Sequence, residues 1–354
     1  MRLVITGGGT GGHIYPALVV GQVASDHGAD ILYYGSIRGQ ESKICGERSI
    51  PFTAFPSEPL YSIRTIRGLK ALVMLQRSRG MAKKALRLSR PDVVFSTGGY
   101  SAGPVVAAAR DLGIPYTIHT ADSIPARSSS MFANKAAAFT CTFRSTLDLM
   151  QGQNMVRTGQ PIRRELRAAA QRKREPEELV FVVGGSQGSA FLNETVPQAA
   201  RQMPGTTRFL HACGPDHLKS TAERVDKLEL GERYQVVPYL QTDQMVGAYC
   251  KAKVVVARSG GTVAELALFG LPSVLVPLPN SANDHQAHNA EEFVKMNAAT
   301  LLKQSEASPE AMAASISTWM THPEKCLAAS QSLQEWDVPD AAERIYQLIQ
   351  GAAR

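Results

Sequence analysis

The stretch Arg2-Leu-Val-Ile-Thr-Gly-Gly-Gly-Thr-Gly-Gly-His13 decides the fold of this chain. Its apolar start predicts a buried strand of a parallel sheet, and five of the eight residues from Thr6 to His13 are glycine. Pro16 then opens an apolar-periodic segment, which predicts a helix to about His27 with the proline in its first turn. Glycines let backbone N–H groups approach an anion, and a helix N-terminus adds a positive partial charge. The stretch therefore predicts a phosphate-binding unit.

The glycine spacing of this turn differs from two common nucleotide-binding patterns. These are G-x-G-x-x-G with a later acidic residue and G-x-x-x-x-G-K-[ST]. His13 stands where a reacting group would meet a ligand that the turn holds. The alternative is a structural turn whose histidine takes no part in chemistry, so the stretch alone leaves the role of His13 open.

Length and composition indicate an ordinary two-domain globular protein. With 354 residues, 44% of them hydrophobic and 19% charged, the chain can form two full cores. Its five cysteines are scattered and contain no C-x-x-C pair, which argues against disulfides or a zinc site and fits a reducing cytosol. We expect no signal peptide, because Met1 leads directly into a strand, and no spanning helix, because no apolar run approaches about eighteen residues.

The net charge of +7 fits a nucleic acid, an anionic membrane face or a phosphorylated substrate. We expect no nucleic acid partner, because the chain lacks interleaved aromatic and basic residues of the kind that bind RNA. A basic segment, Leu60 to Leu88, holds eight lysines and arginines and no acidic residue, with apolar residues between them at roughly helical spacing. Such a segment is typical of a helix on a membrane surface. The alternative is a helix that packs on the sheet with a solvated basic face.

Short apolar strands, turns and helices alternate along the chain, which is typical of doubly wound α/β domains. In the first half, strands are predicted at Arg2–Ile5, Ile31–Tyr34, Ile50–Phe55, Val93–Phe95, Ile114–His119 and Ala138–Phe143. A second glycine-rich turn, Ser96 to Pro104, follows the fourth of these strands. Ligands of such sheets bind beyond the carboxyl ends of the strands, where His13, Tyr100 and His119 fall.

A charged, proline-containing stretch, residues 164–178, predicts a linker between a first domain, 1–163, and a second, 179–337. The second domain repeats the plan of the first, because an apolar strand runs into Gly184-Gly-Ser-Gln-Gly-Ser189. Its strands are predicted at Leu179–Val183, Phe209–His211, Tyr234–Val237, Val254–Ala257 and Ser273–Val276. Residues 338–354 have the spacing of an amphipathic helix, which we expect to pack back on the first domain.

A third turn of the anion-binding type, Arg258-Ser-Gly-Gly-Thr-Val-Ala-Glu265, follows the strand at 254–257, and Thr262 is its expected N-cap. Thr262 and Glu265 have capping-box spacing, so Glu265 has either a structural or a binding role. His285 and His288 are spaced like metal ligands, but the sequence offers no third ligand, and we interpret this segment as a polar helix start. We expect no metal and no other cofactor.

These motifs, taken in order, resemble those of the two-domain GT-B glycosyltransferases and, more narrowly, of glycosyltransferase family 28, the lipid I N-acetylglucosaminyltransferases. The resemblance runs from Arg2 to about Gln350. It rests on Gly8-Gly-Thr-Gly-Gly-His13 with Pro16, Thr97-Gly-Gly-Tyr100, Gly159-Gln-Pro-Ile-Arg163, Gly184-Gly-Ser-Gln-Gly188 with Asn193, Arg258 to Glu265, and Gln286 with Asn289. It implies an α/β protein of two Rossmann-like domains that face a central cleft.

The resemblance implies inverting transfer of GlcNAc from UDP-GlcNAc to the 4-hydroxyl of MurNAc in lipid I, undecaprenyl-pyrophosphoryl-MurNAc-pentapeptide, in peptidoglycan synthesis. It places the donor on the second domain, with Ser186 at phosphate, the Leu240 backbone at uracil, Glu265 at ribose and Gln286 at the GlcNAc hydroxyls. Further donor-side residues are Gln187, Asn193, Arg258, Gly261, Thr262 and Asn289. The acceptor would lie on the first domain, and the protein would bind the cytoplasmic face of the inner cell membrane peripherally.

The chemistry of this transfer suits the residues of the first domain. Thr10, Gly11 and Gly12 would close on the donor, whose departing UDP builds negative charge that backbone amides, helix dipoles and Arg163 can stabilise. The attacking hydroxyl requires a general base, a role that suits an imidazole. We predict His13 as the base, with His119 next. The remaining substrate-side residues are Tyr100 and Asp122.

The chain departs from the family pattern in three places. His119-Thr-Ala-Asp122 stands where the family has His-Glu-Gln-Asn, and Gln160 replaces the Asn of Gly-Asn-Pro. The turn after Arg258 is one residue shorter than in many members. Two other functions therefore stay open: another GT-B enzyme that acts on a lipid such as diacylglycerol, and a non-catalytic protein that binds the lipid carrier.

Overall fold

The computed structural model describes residues 1–58, 65–150 and 154–353, which divide into two units. Unit 1 comprises Met1–Arg163 and Val338–Arg354, and unit 2 comprises Arg164–Asp337. Each unit is built on one parallel sheet with helices between the strands, which confirms the predicted α/β class. No helix in the described part of the chain is both long and apolar enough to cross a membrane.

The described residues of unit 1 form a seven-stranded parallel sheet. Its strands are β1 (Arg2–Thr6), β2 (Asp30–Ser36), β3 (Phe52–Phe55), β4 (Val93–Ser96), β5 (Tyr116–Thr120), β6 (Ala138–Cys141) and β7 (Met155–Arg157). Its helices are α1 (Gly11–Asp26), α2 (Glu41–Glu47), α3 (Ile66–Ser89), α4 (Ala102–Asp111), α5 (Arg127–Ala133), α6 (Ser145–Leu149) and the C-terminal α15 (Ala341–Ala352). The spatial order β3-β2-β1-β4-β5-β6-β7 reverses between β1 and β4.

The described residues of unit 2 form a six-stranded parallel sheet of order β10-β9-β8-β11-β12-β13, which reverses between β8 and β11. Its strands are β8 (Leu179–Val183), β9 (Arg208–Ala212), β10 (Tyr234–Val237), β11 (Val254–Ala257), β12 (Ser273–Leu275) and β13 (Ala299–Leu301). Its helices are α7 (Arg164–Ala170), α8 (Ala190–Arg201), α9 (Leu218–Lys227), α10 (Thr242–Lys251), α11 (Thr262–Leu268), α12 (His285–Lys295), α13 (Pro309–Thr321) and α14 (Pro323–Trp336).

The first strand shows why its sequence is continuously apolar. Val4 lies in a buried cluster with residues of α3 and α4, whereas Leu3 and Ile5 lie in a second cluster with residues of α1 and α15. Side chains alternate between the two faces of a strand, and here helices cover both faces. The apolar run therefore fills two cores at once.

The C-terminal helix α15 is part of unit 1. Ile345 and Ile349 are buried in one apolar cluster with residues of α1. His27, at the C-cap of α1, stacks on the ring of Tyr346 with centroids 4.5 Å apart and contacts the Glu343 carboxylate at 3.2 Å. These contacts hold the end of the chain against the first helix.

Two local predictions are wrong. The first helix begins at Gly11, so Pro16 lies inside it rather than in its first turn. Residues 164–178, predicted as a linker, contain α7 and belong to unit 2. Arg174 in this stretch is half-buried and donates to the backbone carbonyls of Tyr249, Ala252 and Gly270. A charged residue that caps buried carbonyls has the same appearance in a sequence as one in a solvated linker.

Most of the basic segment forms α3, and its residues 60–64 lie outside the described residues. The buried side of α3 consists mainly of small residues, Ala71, Ser78 and Ala82. Arg79 and Lys83 pair with Asp111 of α4. Desolvation is the largest single effect on the pKa of this carboxyl and raises it, but the hydrogen bonds and charges of Lys83 and Arg79 together outweigh it and lower the pKa. The helix thus packs on unit 1 through small side chains and uses part of its charge for an internal ion pair.

Candidate active site

The two glycine-rich turns of unit 1 lie side by side where its strand order reverses, between β1 and β4. The Gly8 amide donates to the Gly98 carbonyl at 3.3 Å, and the Thr97 hydroxyl donates to the His13 carbonyl at 2.6 Å. Gly99 has a φ of +85°, and a Cβ there would lie 2.1 Å from the carbonyl oxygen of Gly8, so only glycine fits. Crevices at such reversals are the usual ligand sites of doubly wound sheets.

His13 lies half-buried in the first turn of α1, at this reversal. Its Nδ1 is 3.0 Å from the carbonyl oxygen of Thr97. Because a carbonyl can only accept, Nδ1 carries the hydrogen of the neutral ring, and Nε2 is the nitrogen whose lone pair can take a proton. The second turn therefore holds the imidazole in the tautomer that a general base needs.

A carboxylate that sequence reasoning missed lies beneath the first turn. Glu41, the first residue of α2, is fully buried, and its Oε1 accepts the Gly9 amide at 3.2 Å. Tyr33 of β2 donates its hydroxyl to the Gly7 carbonyl, and burial, with smaller effects of Cys45 and Glu41, raises the pKa of Tyr33 so that it remains a donor. A single glutamate among polar residues is too common a sequence feature to indicate such a position.

The start of α1 presents polar groups at the same edge. Thr10, its N-cap, is exposed, and Gly11 and Gly12 are half-buried. Amides in the first turn of a helix have no acceptor within the helix, so those of Gly11 and Gly12 can meet an external one. Together with the positive end of the helix dipole, they form an anion-binding position.

Tyr100 and Arg163 lie beside this turn. A Cβ built on Gly9 would come within 2.6 Å of Cε1 of Tyr100, so the tyrosine ring lies against the turn. The guanidinium carbon of Arg163 is 5.0 Å from the ring centroid of Tyr15, on α1. Stacking of this kind contributes about 0.5–1 kcal/mol at exposed sites, and it keeps a cation next to α1.

His119 does not reach the ligand edge, which corrects the prediction for its side chain. It is fully buried, with Nδ1 2.9 Å from Oγ1 of Thr140 and Nε2 3.2 Å from Oε1 of Gln160. Burial lowers the pKa of His119 to about 4, although the bond to Gln160 opposes this shift. The side chain is therefore enclosed within unit 1, where repulsion from His13 adds to the lowering of its pKa.

Asp122 follows β5 and is half-buried. Its backbone carbonyl accepts the hydroxyls of Thr120 and Thr146, each at 3.4 Å. These bonds fix the main chain that carries the carboxylate at the ligand edge.

In unit 2, Arg258 ties the two strand ends at the reversal together. Its Nε donates to Oγ of Ser189, its Nη1 to the carbonyls of Val276 and Pro277, and its Nη2 to Oε1 of Gln304, over 2.9–3.1 Å. Ser189 is in turn the N-cap of α8. Arg258 was predicted to contact the donor, and the structure instead directs its guanidinium to acceptors within unit 2.

Two asparagines predicted at the donor are also buried anchors. Nδ2 of Asn193 donates to the Cys213 carbonyl, and Nδ2 of Asn289 donates to the Ser259 carbonyl, both at 2.9 Å. Asn193 is 6% exposed and Asn289 is 0% exposed. They fix the ends of β9 and β11, which carry the neighbouring turns.

The other predicted donor residues are accessible at the carboxyl edge of the sheet, except for the side chain of Leu240, which is buried. Ser186 and Gln187 are exposed in the turn after β8. Half-buried positions are Gly261, Thr262, Glu265 and Gln286. Oε1 of Gln286 accepts the Leu278 amide at 3.0 Å, which directs its amide nitrogen away from that loop.

The capping box considered for Glu265 is absent. Gly261 rather than Thr262 is the N-cap of α11, because Thr262 already lies in the helix. Oε2 of Glu265 instead accepts the hydroxyl of Tyr249 at 2.8 Å. This bond orients a half-buried carboxylate at the sheet edge.

His288 contacts Glu291 on α12, with its Nδ1 3.3 Å from Oε2 of the glutamate. Within residues 1–58, 65–150 and 154–353, no three His, Cys, Asp or Glu side chains come together as a metal-ligand set. His285 and His288 lie at the start of α12, as their interpretation as a polar helix start requires.

Comparison with known proteins identifies the family. Residues 3–140 match the glycosyltransferase family 28 N-terminal domain, and residues 179–345 match the C-terminal domain of that family. Two similar proteins are named UDP-N-acetylglucosamine--N-acetylmuramyl-(pentapeptide) pyrophosphoryl-undecaprenol N-acetylglucosamine transferase. The one from Lactococcus lactis subsp. cremoris is 33% identical over 99% of both chains, and the one from Carboxydothermus hydrogenoformans is 34% identical over 94% of this chain and 92% of its own. The crystal structure of Acinetobacter baumannii MurG aligns with a TM-score of 0.80 and 27% identity over 99% of both chains.

Proposed function

Since the chain belongs to glycosyltransferase family 28 and has a GT-B fold, we propose that it transfers GlcNAc from UDP-GlcNAc to the 4-hydroxyl of MurNAc in lipid I. Lipid I is undecaprenyl-pyrophosphoryl-MurNAc-pentapeptide, and the product is the lipid II of peptidoglycan synthesis. The names of the relatives support the choice of substrates. The observation that carries the proposal is the contact between Nδ1 of His13 and the Thr97 carbonyl at the strand reversal. This contact holds the imidazole in the tautomer whose Nε2 can accept a proton.

In this proposal unit 2 holds the donor. The turn after β8 offers Ser186 and Gln187 to the phosphates, and the backbone of Leu240 meets the uracil. Glu265, oriented by Tyr249, accepts hydrogen bonds from the ribose hydroxyls, and Gln286 binds the GlcNAc hydroxyls. Other positions at this edge are Gly261 and Thr262. Three predicted donor residues do not contact the donor themselves in this proposal but hold the turns that do: Arg258, Asn193 and Asn289.

Unit 1 supplies the base and the acceptor site. Nε2 of His13 takes the proton of the MurNAc 4-hydroxyl while the oxygen of that hydroxyl bonds to C1 of GlcNAc. The bond between C1 and the β-phosphate oxygen breaks, and UDP leaves with the electron pair. Attack opposite the leaving group inverts the anomeric centre. Tyr100 and Asp122 lie at the same edge and complete the substrate-facing side of unit 1.

The developing charge on UDP requires donors that are in place before the reaction. The amides of Gly11 and Gly12, the hydroxyl of Thr10 and the positive end of α1 supply them in this proposal. Arg163 adds a full positive charge, which its stacking on Tyr15 keeps beside the helix.

Transfer of labelled GlcNAc to a lipid I analogue tests the proposed function. We expect product with lipid I and none with diacylglycerol. Product with diacylglycerol alone would favour another GT-B enzyme that acts on lipids. UDP-GlcNAc binding without transfer to either acceptor would favour a non-catalytic protein.

Replacing Arg258 by lysine is expected to weaken UDP binding about 10-fold, because one ammonium cannot bridge Ser189, the carbonyls after β12 and Gln304 together. Losing one bond from a charged donor costs about 1.5–3 kcal/mol, so Tm should also fall. Calorimetric titration with UDP measures the affinity. The matched control is Arg201→Lys on the exposed side of α8. Unchanged UDP affinity in R258K would remove Arg258 from the donor site altogether.

One face of α3 supports a peripheral membrane position. Leu69, Val73 and Leu88 are 54%, 70% and 76% exposed. Exposed basic residues of the same face are Lys70, Arg77, Lys84 and Arg87. In the proposal this face rests on the anionic cytoplasmic surface of the cell membrane, where the lipid acceptor resides.

Reversing Lys70, Arg77, Lys84 and Arg87 to glutamate is expected to release the protein from anionic vesicles. Each basic residue near such a surface contributes about 1 kcal/mol, so the partition coefficient should fall at least about 100-fold at low salt. Sedimentation with phosphatidylglycerol vesicles measures it. The same number of reversals on unit 2, at exposed Lys219, Lys227, Lys295 and Lys325, gives the control. If both variants bound the vesicles equally, the basic face of α3 would be a solvated face with no role in membrane binding.

A further inference from the structure

We propose that Glu41 is a positioning residue, whose buried carboxylate holds the first glycine-rich turn in the shape that aims His13 and the first amides of α1 at the substrates. The inference rests on the proposed function, because it concerns the same turn. It goes further by assigning a role to a residue outside every motif on which the family resemblance rests.

The carboxylate is wedged into the turn. Oε1 of Glu41 accepts the Gly9 amide at 3.2 Å, and the side chain is 0% exposed. A Cβ built on Gly8 would lie 1.7 Å from Oε1, and one built on Gly39 would lie 1.3 Å from Oε2. The carboxylate therefore occupies the space that side chains at positions 8 and 39 would need. It fits there because both positions are glycine.

The energetics argue against a purely structural role. Within the described residues, Oε2 of Glu41 is buried without a hydrogen-bond partner, as is the neighbouring Oγ of Ser101. Burying a polar oxygen without a hydrogen-bond partner costs about 1–3 kcal/mol, whereas a typical hydrogen bond such as that to the Gly9 amide contributes only about 0.5–1.5 kcal/mol. An apolar side chain of similar volume would fill the site at lower cost. Packing alone thus gives no reason for a carboxylate here.

The carboxylate holds the backbone of the turn in place through its bond to the Gly9 amide. Gly9 directly precedes Thr10, whose carbonyl accepts the amides of His13 at 3.1 Å and Ile14 at 3.2 Å. The bond to the Gly9 amide therefore anchors the backbone one residue before the N-cap of α1. The opposite side of the turn is held by Thr97, which bonds His13 at both its carbonyl and its ring. The position of the imidazole is thus set from two sides, by Thr97, which directly follows β4, and by Glu41.

Four single variants and one double variant test this role through kcat and donor KM. Glu41→Ala should lower kcat about 10–100-fold, because a shift of about 1 Å at a reacting group can cost 10²-fold. Donor KM should hold, because unit 2 binds the donor. Glu41→Gln keeps an acceptor oxygen and the shape, and we expect kcat within about 3-fold of wild type. Gly39→Ala should reproduce the loss by displacing Oε2, and should add nothing in the Glu41→Ala background.

Gly46→Ala is the matched control, because a Cβ at this position of α2 meets nothing within 4 Å. A Glu41→Ala enzyme with lower Tm but wild-type kcat well below that Tm would overturn the proposal, as would additive losses in the double variant. UDP affinity of each variant checks that unit 2 is folded.

A second readout separates this inference from the proposed function. In protein with isotope-labelled histidine, Glu41→Ala should shift the ring nitrogen signals of His13, and Glu41→Gln and Gly46→Ala should not. Unchanged His13 signals in Glu41→Ala would overturn the inference even in an active enzyme. If wild type transfers no GlcNAc, the proposed function fails, and the His13 signals still decide whether Glu41 sets the turn.

Discussion

His13→Ala is expected to lower kcat for GlcNAc transfer by about 10²–10⁴-fold, the usual contribution of a general base. The reason is the bond between Nδ1 and the Thr97 carbonyl, which leaves Nε2 as the proton acceptor. UDP affinity should change little, because the proposed donor site lies on unit 2. Steady-state kinetics with a lipid I analogue and calorimetry with UDP measure the two quantities.

His13→Asn separates the base from the shape of the turn. The asparagine amide can donate to the Thr97 carbonyl as Nδ1 does, but it has no basic nitrogen. We therefore expect kcat to fall as far as in His13→Ala. His27→Ala is the control, because His27 lies at the other end of α1. Full activity of His13→Asn would show that the histidine only shapes the turn.

Near-normal kcat with a raised donor KM in His13→Ala would make His13 a binding residue. The base would then be sought at Asp122, the half-buried carboxylate after β5. His119 is no longer the second candidate. It is fully buried, and burial lowers its pKa to about 4, so it is a poor proton acceptor at neutral pH. Asp122→Asn, which restores the family residue, should keep kcat if His13 is the base.

The architecture could be predicted because parallel sheets leave a strong signal. Buried strands such as β1 and β8 are continuous apolar runs that end in glycine-rich turns, and both were located from sequence. The edge strands β7 (Met155–Arg157) and β13 (Ala299–Leu301) were missed. Each has three residues and partial exposure, which is too little for a periodic pattern to stand out.

The site could be predicted only in part, because its motifs mix two kinds of residue. Ser186 and Gln286 are accessible, whereas Arg258, Asn193 and Asn289 donate to protein carbonyls or hydroxyls a few ångströms away. Guanidinium and amide groups are good donors to a ligand and to the backbone alike, so residue type cannot separate the two roles. Only the positions of the acceptors can.

His119 and Glu41 show the two errors that follow from reading residue type and local pattern alone. His119 was predicted at the ligand edge because it ends an apolar run, but β5 continues to Thr120 and the side chain turns inward. Glu41 was missed because its partner, Gly9, is 32 residues away in sequence. Contacts between segments that are brought together only by the sheet order leave no local pattern.

Acidification from pH 7 to pH 5 is expected to destabilise each unit by about 2 kcal/mol through one buried histidine. In unit 1, burial lowers the pKa of His119 to about 4, and in unit 2, burial lowers the pKa of His211 to about 3. Nδ1 of His211 is 2.8 Å from the Tyr234 hydroxyl, and its Nε2 is buried without a partner among the described residues.

The sign follows from proton uptake. An exposed histidine in the unfolded chain titrates near pH 6.5. Between that pH and the lowered folded pKa, the unfolded state binds a proton that the native state does not, so the free energy of unfolding falls as pH falls. The lowered pKa of Asp111 acts at more acidic pH, because the ordinary value from which it is lowered is already 3.8. The window from pH 7 to pH 5 therefore reports mainly on histidines.

The two units can be followed separately in one denaturant experiment. Both tryptophans, Trp319 and Trp336, lie in unit 2, so their fluorescence reports the unfolding of that unit, whereas far-ultraviolet circular dichroism reports both. His211→Gln should flatten the pH dependence seen by fluorescence. His119→Gln should leave the fluorescence curve unchanged and flatten the remaining transition seen by circular dichroism, so each variant serves as the control for the other. If both variants kept the wild-type pH dependence, the histidines would not be the groups whose burial makes this fold sensitive to acid.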